Sequence, residues 1–211
     1  MTELYLVRHG ETDWNRARRV QGRTDVPLND TGRAQARATG RLLARRRWDA
    51  VLSSPLSRAV ETAQLIAAEI GLPEPEVFEG IMERDYGEAE GLNYYEIERR
   101  WPRGGVPGRE SRGDVASRVV PALVELAVAR PGQSLVVVGH GGSIRAALAA
   151  ASPAQAHEVI TNGSIHSFRV VDGDLRLIAF DDPIEQESIG DLDTRIELQN
   201  AVEAQDEDDV A

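Results

Sequence analysis

The chain has 211 residues, a hydrophobic fraction of 41% and a formal net charge of −11. That length suits one domain with a buried core, and because there is no cysteine, disulfides, thiolate metal sites and cysteine nucleophiles are excluded. All 24 basic residues are arginine, so Schiff-base chemistry on lysine and the lysine of a Walker-A nucleotide loop are excluded as well.

The charge is distributed unevenly along the chain. Residues 181–211 contain 12 acidic residues and one arginine, whereas residues 1–180 contain 23 acidic and 23 basic residues. A neutral body has no basic excess to meet a phosphate backbone, so we expect no nucleic-acid partner. We expect residues 1–182 to form the domain and residues 183–211 to form an acidic tail that is at least partly disordered. Four apolar residues leave open a short tail helix docked on the body or on the second subunit of a homodimer, namely Ile184, Ile189, Leu192 and Ile196.

No segment has the length of a membrane span. The longest apolar stretches, Leu135–Val138 and Ala146–Ala151, fall far short of the ~18–20 residues required. Met1–Gly10 contains Glu3 and Arg8 and lacks a small-residue cleavage site, so it favours a first strand over a signal peptide. We therefore expect no membrane association and a cytoplasmic location.

Apolar periodicity and turn residues predict strands that alternate with helices. In chain order, the first half gives a strand Leu4–Val7, a loop Arg8–Asn29, a helix from the cap Thr31 to about Arg47, a strand Ala50–Leu52, and a helix Pro55–Ile70 capped by Ser53 or Ser54 and ended by Gly71. The second half gives one helix near Tyr94–Trp101, a helix from the cap Asp114 to about Ala129, a strand Leu135–Val138, a turn Gly139–Gly142, a helix Ser143–Ala150, and a hairpin of Ser164–Val171 and Asp174–Phe180. This alternation indicates an α/β layer fold with a largely parallel sheet.

Polar residues follow three of the predicted strands directly. The segments are Arg8-His9-Gly10, Ser53-Ser54-Pro55 leading to Arg58, and Gly139-His140-Gly141. Ligands of parallel sheets bind beyond the carboxyl ends of the strands, so these segments predict a shared site.

Two of the four histidines stand out by position. His9 and His140 each follow an apolar strand and precede a glycine, which removes a side chain that would block a ligand. His157 and His166 have no such setting, and we interpret them as surface or structural residues. Arg8 and Arg58 fall in the same zone as His9 and His140, and this concentration of cations favours a bound anion such as phosphate. Taken singly, each arginine could instead form a surface salt bridge with a nearby acid such as Glu11 or Glu61.

These motifs resemble a known family. The blocks that carry the resemblance are Leu6-Val7-Arg8-His9-Gly10-Glu11-Thr12, Asn15, Gln21-Gly22, Leu28-Asn29-Asp30-Thr31-Gly32, Ser53-Ser54-Pro55-Leu56-Ser57-Arg58-Ala59, Glu83-Arg84-Asp85-Tyr86-Gly87, Glu90-Gly91 and Gly139-His140-Gly141-Gly142. In this order and spacing they are similar to the histidine phosphatase (phosphoglycerate-mutase-like) superfamily. The resemblance implies a three-layer α/β/α fold with a mostly parallel central sheet, and it implies no metal or other cofactor.

The resemblance also implies a role for each matching residue. His9 would attack phosphorus and become a phosphohistidine, while Arg8, Arg58 and His140 would hold the phosphoryl oxygens. Glu83 would protonate the leaving oxygen and then activate water, with Glu88 and Glu90 as rival carboxylates in the same stretch. Further phosphate contacts are expected from Asn15, Gln21, Gly22 and Gly141.

Simple electrostatics predicts the protonation states that these roles need. Neighbouring arginines should lower the pKa of His9 and keep it neutral, and a backbone carbonyl should hold its other ring nitrogen. Glu83 should need a raised pKa to act as an acid near neutral pH.

The family resemblance includes both hydrolases and mutases, and one segment of the chain distinguishes the two activities. Phosphoglycerate mutases of this fold carry a longer insertion before the helix that begins here near Asp114, and it keeps water out. Here Asn93–Arg112 is short, so hydrolysis of a small phosphorylated metabolite is favoured over mutase activity. A non-catalytic member that binds a phosphorylated ligand or a protein is the other alternative. Four arginines raise the question of a second acidic group on the substrate, namely Arg23, Arg84, Arg109 and Arg112.

Overall fold

The computed structural model describes residues 1–181. It contains six strands, β1 (Glu3–Arg8), β2 (Ala50–Ser53), β3 (Glu76–Val77), β4 (Ser134–Gly139), β5 (Ile165–Val171) and β6 (Asp174–Ala179). Its helices within these residues are α1 (Asp13–Arg16), α2 (Asp30–Leu43), α3 (Ser57–Ile70), α4 (Tyr94–Arg100), α5 (Arg112–Ala129) and α6 (Gly141–Ala151). The acidic tail predicted for residues 183–211 lies outside the described residues.

The strands form one sheet in the order β3-β2-β4-β1-β5-β6. β1, β2, β3 and β4 pair in parallel, while β5 and β6 extend the sheet as an antiparallel edge. β1 and β4 are neighbours, and their register places Arg8 opposite Gly139. The two strand ends that carry the candidate histidines therefore meet at one edge of the sheet.

Helices cover both faces of the sheet, which confirms the three-layer α/β/α prediction. Alternating side chains of β1 and β4 pack on one face against α5 and α6, through residues such as Leu123 and Ile144. The opposite set, including Val7 and Val138, packs against α2 and α3 through Leu43 and Ile66. Burial of these two apolar faces fixes the sheet between its helices.

Several helices begin at different residues from those predicted, because side chains other than the predicted caps satisfy their first N–H groups. Asn29 rather than Thr31 caps α2, its side chain accepting from the Gly32 N–H at 2.8 Å. α3 begins at Ser57, not Pro55, and its first N–H donates to Asp25 at 2.8 Å. Sequence periodicity carries no signal for the long-range contact of Asp25.

The later helices show the same shift at their N-termini. α5 begins at Arg112, so Asp114 lies in its first turn and donates its N–H to the Ser111 hydroxyl at 3.0 Å. α6 begins at Gly141 with His140 at the cap position, two residues before the predicted Ser143. The four-residue helix α1 and the two-residue strand β3 were not predicted, because neither is long enough to show a periodic pattern.

The β5–β6 hairpin confirms its predicted turn. Asp172 and Gly173 both have positive φ, 53° and 86°, as a two-residue turn between right-twisted strands requires. Among residues 1–181, no helix has both the length and the apolar character needed to cross a membrane.

Candidate active site

His9 lies directly beyond β1 and is buried. Its Nδ1 bonds to the Gly10 carbonyl oxygen at 2.7 Å, and its Nε2 accepts from Arg58 Nε at 3.3 Å. A carbonyl can only accept, so Nδ1 carries the proton and the Nε2 lone pair is available. The backbone carbonyl expected from the sequence is therefore the carbonyl of Gly10.

The surroundings of His9 favour its neutral form. Burial lowers its pKa well below the usual value, and the guanidinium groups of Arg58 and Arg8 lower it further. The hydrogen bond to Gly10 acts in the opposite direction but is the smallest of these effects. The lowered pKa agrees with the expected direction, although burial contributes more than either arginine does.

His140 lies beside His9, at the end of β4. The two ring centroids are 5.2 Å apart. His140 Nε2 bonds to the Ser54 hydroxyl at 2.7 Å, whereas its buried Nδ1 has no hydrogen-bond partner within residues 1–181. Burial, followed by the charge of Arg58, lowers the pKa of His140 well below its usual value.

Arg58 is fully buried beside the two histidines. Its Nη2 donates to the Gly22 carbonyl at 2.7 Å and its Nη1 to the Thr24 carbonyl at 3.0 Å. Burial lowers its pKa to about 10, an effect opposed by the nearby Glu83 carboxylate. Because the main-chain carbonyls carry no net charge, Arg58 keeps its positive charge while its guanidinium is fixed in place.

Arg8, at the end of β1, is also buried and donates through Nη1 to the Ile160 carbonyl. Glu11 and Glu61, the two acids that the sequence offered as salt-bridge partners for the site arginines, bind other residues. Glu61 pairs with Arg33 at 2.6 Å, and Glu11 accepts from the Asn29 amide at 2.8 Å.

Two neutral amides lie close to this cationic group. The Thr12 hydroxyl lies 3.1 Å from Asn15 Oδ1 and 2.8 Å from Gln21 Oε1, so its single proton can be donated to either amide oxygen and links the two side chains. The buried Asn15 Nδ2 has no hydrogen-bond partner in the part of the chain that the structure describes. An unpartnered buried N–H donor suits an anion, as the resemblance implied for Asn15.

Glu83 is a buried carboxylate opposite the cationic group. Its Oε1 accepts from the Arg84 N–H at 2.7 Å and its Oε2 from the Gly142 N–H at 3.2 Å. A Cβ on Gly142 would lie 2.4 Å from Glu83 Oε1, so this approach requires glycine. Arg118 donates to the Glu83 carbonyl at 2.9 Å and thereby holds the backbone of Glu83 from α5.

The two rival carboxylates have other roles. Glu88 is exposed and lies 3.8 Å from Arg100. Glu90 accepts from the N–H groups of Arg23 and Thr24, both at 2.8 Å, and so holds the loop that carries Gly22. Of the three acids, Glu83 alone lines the small cavity beside His9.

This cavity measures about 40 Å³. Its wall contains the predicted residues Arg8, His9, Gln21, Gly22, Arg58 and Glu83. Three predicted residues do not line this cavity, namely Asn15, His140 and Gly141. Gly22 has a φ of 56°, and its carbonyl accepts a hydrogen bond from Arg58. Gly22 therefore supports Arg58 as well as lining the cavity.

Gly10 has a different reason to be glycine from the one inferred. A Cβ there would lie 2.3 Å from the Gly32 carbonyl oxygen, so the missing side chain permits close packing on α2 rather than the approach of a ligand.

The other arginines and histidines singled out in the sequence have several different surroundings. Arg84, Arg112 and His157 line a second cavity, while Arg23 lies 3.8 Å from Asp85 and 3.7 Å from Glu110. The structure places Arg109 in an isolated bridge with Tyr86 and outside both cavity walls among the described residues. His166 is buried in β5 and lines neither cavity.

Sequence reasoning missed several supports of the site. They are Ser54, which bonds to His140, Thr62, which accepts from the Gly10 N–H, Asn162, which donates to the His9 carbonyl, and Arg118 and Gly142, which hold Glu83. Ser54 and Gly142 belong to the quoted motifs and could have been suspected; the others carry no local signal.

Comparison with known proteins agrees with this geometry. Residues 4–183 match the model of the histidine phosphatase superfamily (branch 1). The chain is 42% identical to the uncharacterised phosphatase PhoE of Bacillus subtilis over 70% of this chain and 76% of that protein. It is 39% identical to a 2,3-bisphosphoglycerate-dependent phosphoglycerate mutase of Methylobacterium radiotolerans over 68% of this chain and 76% of the mutase.

A solved structure extends the similarity to the fold. A mycobacterial glucosyl-3-phosphoglycerate phosphatase, solved with VO3, superposes with a TM-score of 0.76 at 31% identity, over 85% of this chain and 98% of that one. The family model covers most of the chain, and the relatives agree with it. The chain therefore belongs to the histidine phosphatase superfamily, branch 1.

Proposed function

We propose that the protein is an acid-type histidine phosphatase that hydrolyses monoesters of small phosphorylated metabolites without a metal ion. The observation that carries the proposal is the neutral His9, whose Nε2 lone pair faces Arg58 in a small cavity with Glu83 in its wall. Nucleophile, cationic anchor and acid are thus close together, and the names of the phosphatase relatives support hydrolysis.

The first half of the reaction transfers the phosphoryl group to His9. Nε2 attacks phosphorus in line, the bond from phosphorus to the alcohol oxygen breaks, and Glu83 gives its proton to that oxygen. Arg8, Arg58 and His140 hold the three other oxygens as charge shifts among them. Positioning and charge stabilisation supply most of the catalysis in phosphoryl transfer, so two guanidinium groups can take the part of a metal ion.

The second half restores the enzyme. Glu83, now ionised, takes a proton from water, the water oxygen bonds to phosphorus, and the bond to Nε2 breaks. Phosphate leaves, His9 is neutral again and Glu83 is protonated. The Gly142 and Arg84 N–H groups stabilise the ionised carboxylate between the two halves.

Mutase activity is the second candidate, since a mutase is among the relatives. The segment before α5 argues against it. Ile97 of α4 and Val106 after it pack with Tyr86 in a small separate cluster, and the stretch between Asn93 and α5 contains a single seven-residue helix. Transfer to a second hydroxyl needs water to be excluded, so a short segment favours hydrolysis.

The proposal is tested by phosphate release from a panel of monoesters with EDTA present and no added metal, comparing the parent with His9→Ala. We expect turnover by the parent and none by the variant. A parent that is inert on every compound would contradict the phosphatase and leave mutase activity with a bisphosphorylated primer, or a binding role, as the better account.

Three further expectations from the sequence stay predictions. They are the cytoplasmic location, the homodimer and the boundary between a domain at residues 1–182 and an acidic tail.

A further inference from the structure

The segment that carries Glu83 belongs to no helix or strand. Residues 82–85 lie between two short 3₁₀ helices, Glu79–Ile81 and Gly87–Ala89. Their carbonyl groups therefore need hydrogen-bond donors from other parts of the chain. The donors that they find decide where the Glu83 carboxyl group lies.

Arg118 of α5 binds this segment through its main chain. Its Nη1 donates to the Met82 carbonyl at 2.7 Å and its Nη2 to the Glu83 carbonyl at 2.9 Å. The two carbonyls belong to consecutive residues, so one planar guanidinium fixes both the place and the orientation of the backbone from which the Glu83 side chain starts.

Glu110 holds the same guanidinium. Its Oε1 accepts from Arg118 Nε at 2.7 Å and its Oε2 from Arg118 Nη2 at 3.0 Å, which is the two-pronged geometry of a strong arginine–carboxylate pair. Oε2 also accepts from the Asp85 N–H at 3.1 Å, and the Glu110 N–H donates to the Asp85 carbonyl at 2.8 Å. The pair thus binds both ends of the segment, Met82 and Glu83 through Arg118, and Asp85 through Glu110.

The pair is charged but stands apart from the substrate site. Burial by itself raises the pKa of the half-buried Glu110, but hydrogen bonds from Arg118 and from the Asp85 N–H outweigh burial and lower the pKa. Arg118 and Glu110 therefore form an ion pair at neutral pH. Neither residue lines either of the two cavities. Any effect of the pair on the reaction must pass through the segment that it holds.

We propose that Arg118 and Glu110 are positioning residues for the acid Glu83. The ion pair fixes the backbone of residues 82–85, and the Gly142 N–H at the start of α6 then receives the Glu83 carboxyl group at 3.2 Å. Proton transfer requires the acid to lie within hydrogen-bond reach of the leaving oxygen, so a displaced segment weakens the acid without removing it. This inference rests on the proposed phosphatase function and adds two residues that act only through Glu83.

The test compares two phosphate monoesters that differ in their need for an acid. The alkoxide of glycerol 3-phosphate must be protonated as it leaves, whereas the nitrophenolate of p-nitrophenyl phosphate leaves without a proton. Because kcat/KM reports only the steps up to departure of the alcohol, it excludes the later attack of water. Arg118→Gln should lower kcat/KM for glycerol 3-phosphate by about tenfold to hundredfold and change that for p-nitrophenyl phosphate little. A loss of folded protein or of phosphate binding would lower both values equally and leave their ratio unchanged.

Arg130→Gln is the matched control. Arg130, at the end of α5, forms a two-pronged pair with Glu76, and its side chain is 26% exposed against 28% for Arg118. This variant removes a comparable ion pair of the same helix and should keep the parent's ratio. Arg118→Gln combined with Glu110→Gln leaves no half-buried carboxylate unpaired and should show the loss even where the single variant is unstable. A parent ratio in both of these folded variants, or an equal change in Arg130→Gln, would overturn the inference.

A double substitution shows whether Arg118 acts through the acid. Glu83→Gln removes the acid and should give the largest fall in the ratio of the two kcat/KM values. Adding Arg118→Gln to Glu83→Gln should lower that ratio no further, because no acid is left to position. A further fall in the ratio would show that Arg118 acts by another route.

A measurement without turnover separates this inference from the phosphatase itself. The Gly142 N–H lies in the first turn of α6, where N–H groups have no partner within the helix, so its hydrogen exchange, followed by NMR, reports the bond to Glu83. Arg118→Gln should speed exchange at Gly142 by a larger factor than in β4, and Arg130→Gln should not. That result supports the inference even if the parent releases no phosphate. Equal factors at Gly142 and in β4 would contradict it even if the parent is an active phosphatase.

Discussion

Three buried histidines lie in this sheet, and they make an instructive contrast. His9 and His140 stand at the carboxyl ends of β1 and β4, while His166 lies within β5. Burial lowers the pKa of all three, that of His166 to about 4. Neither burial nor a lowered pKa therefore distinguishes the candidate catalytic residues from the third histidine.

The difference lies in what the ring nitrogens contact. His166 Nδ1 accepts from the Asp181 N–H at 3.2 Å, so its Nε2 carries the proton that it shares with the Ser164 hydroxyl at 2.9 Å. That tautomer cannot take a proton from Ser164, which argues against a serine–histidine pair here. His9 lines a cavity and turns its Nε2 lone pair to the Arg58 guanidinium there, and His140 keeps an unpartnered Nδ1 within residues 1–181. A lone pair that faces a cationic group in a cavity wall, more than a shifted pKa, indicates the reactive histidine.

The largest expected effect is that substitutions of His9 and His166 have opposite consequences, the first for activity and the second for stability. His9→Asn should reduce phosphate release to the uncatalysed background, because the nucleophile is lost, while its thermal stability changes little. His166→Asn should leave kcat close to the parent's but lower the melting temperature, because buried partners lose their hydrogen bonds. Phosphate release and thermal unfolding of both variants check this contrast, and loss of kcat in folded His166→Asn would contradict it.

A similar pair of acids should differ by a smaller factor. Glu83→Gln keeps the size of the side chain but cannot give a proton, so kcat should fall by about 10²–10⁴-fold. Glu88→Gln changes an exposed carboxylate in the same stretch of the chain. It is the matched control, and its kcat should equal the parent's. Steady-state kinetics on one monoester checks both, and equal losses in the two variants would show that Glu83 has no special role.

The lowered pKa of His9 sets the pH dependence. Its neutral form persists to lower pH than that of an ordinary histidine, so the acid limb of kcat/KM should lie well below pH 6.5. An unperturbed nucleophile would lose about tenfold between pH 7.5 and 5.5. We expect a much smaller loss, after correction for the second pKa of the substrate phosphate, about 6. A limb centred near 6.5 would mean that His9 is not shielded from water.

The smallest effect concerns the acidic tail. A chain that ends at Asp182 should fold and keep the parent's kcat/KM, because residues 1–181, which the structure describes, already form a complete sheet with helices on both faces and contain His9, Arg58 and Glu83. Thermal unfolding and kinetics of the shortened chain check this boundary. Loss of folding would show that the tail is part of the domain.

The alternation of strands and helices predicted the fold class, and one further rule predicted most of the candidate site. Apolar runs followed by polar residues mark the carboxyl ends of parallel strands, and these ends meet in space. His9, Arg58 and His140 were found by that rule, and Glu83 by its place in a motif.

What the sequence could not predict depends on contacts between distant segments. Arg118 supports Glu83 from α5, and Asp25 satisfies the first N–H of α3. The second cavity forms only where α5 and α6 approach Arg84 and Tyr86. None of these contacts leaves a periodic or local pattern in the chain, so each required the folded structure.

The central claim is that His9 carries the phosphoryl group during turnover. The direct measurement is rapid quenching of the parent with a phosphate monoester under alkaline conditions, which preserve phosphohistidine, followed by peptide mapping by mass spectrometry. The account predicts a phosphoryl group on His9 that forms before phosphate is released and decays as substrate is exhausted. Steady phosphate release with no phosphoenzyme, or with the phosphoryl group on His140, would contradict it.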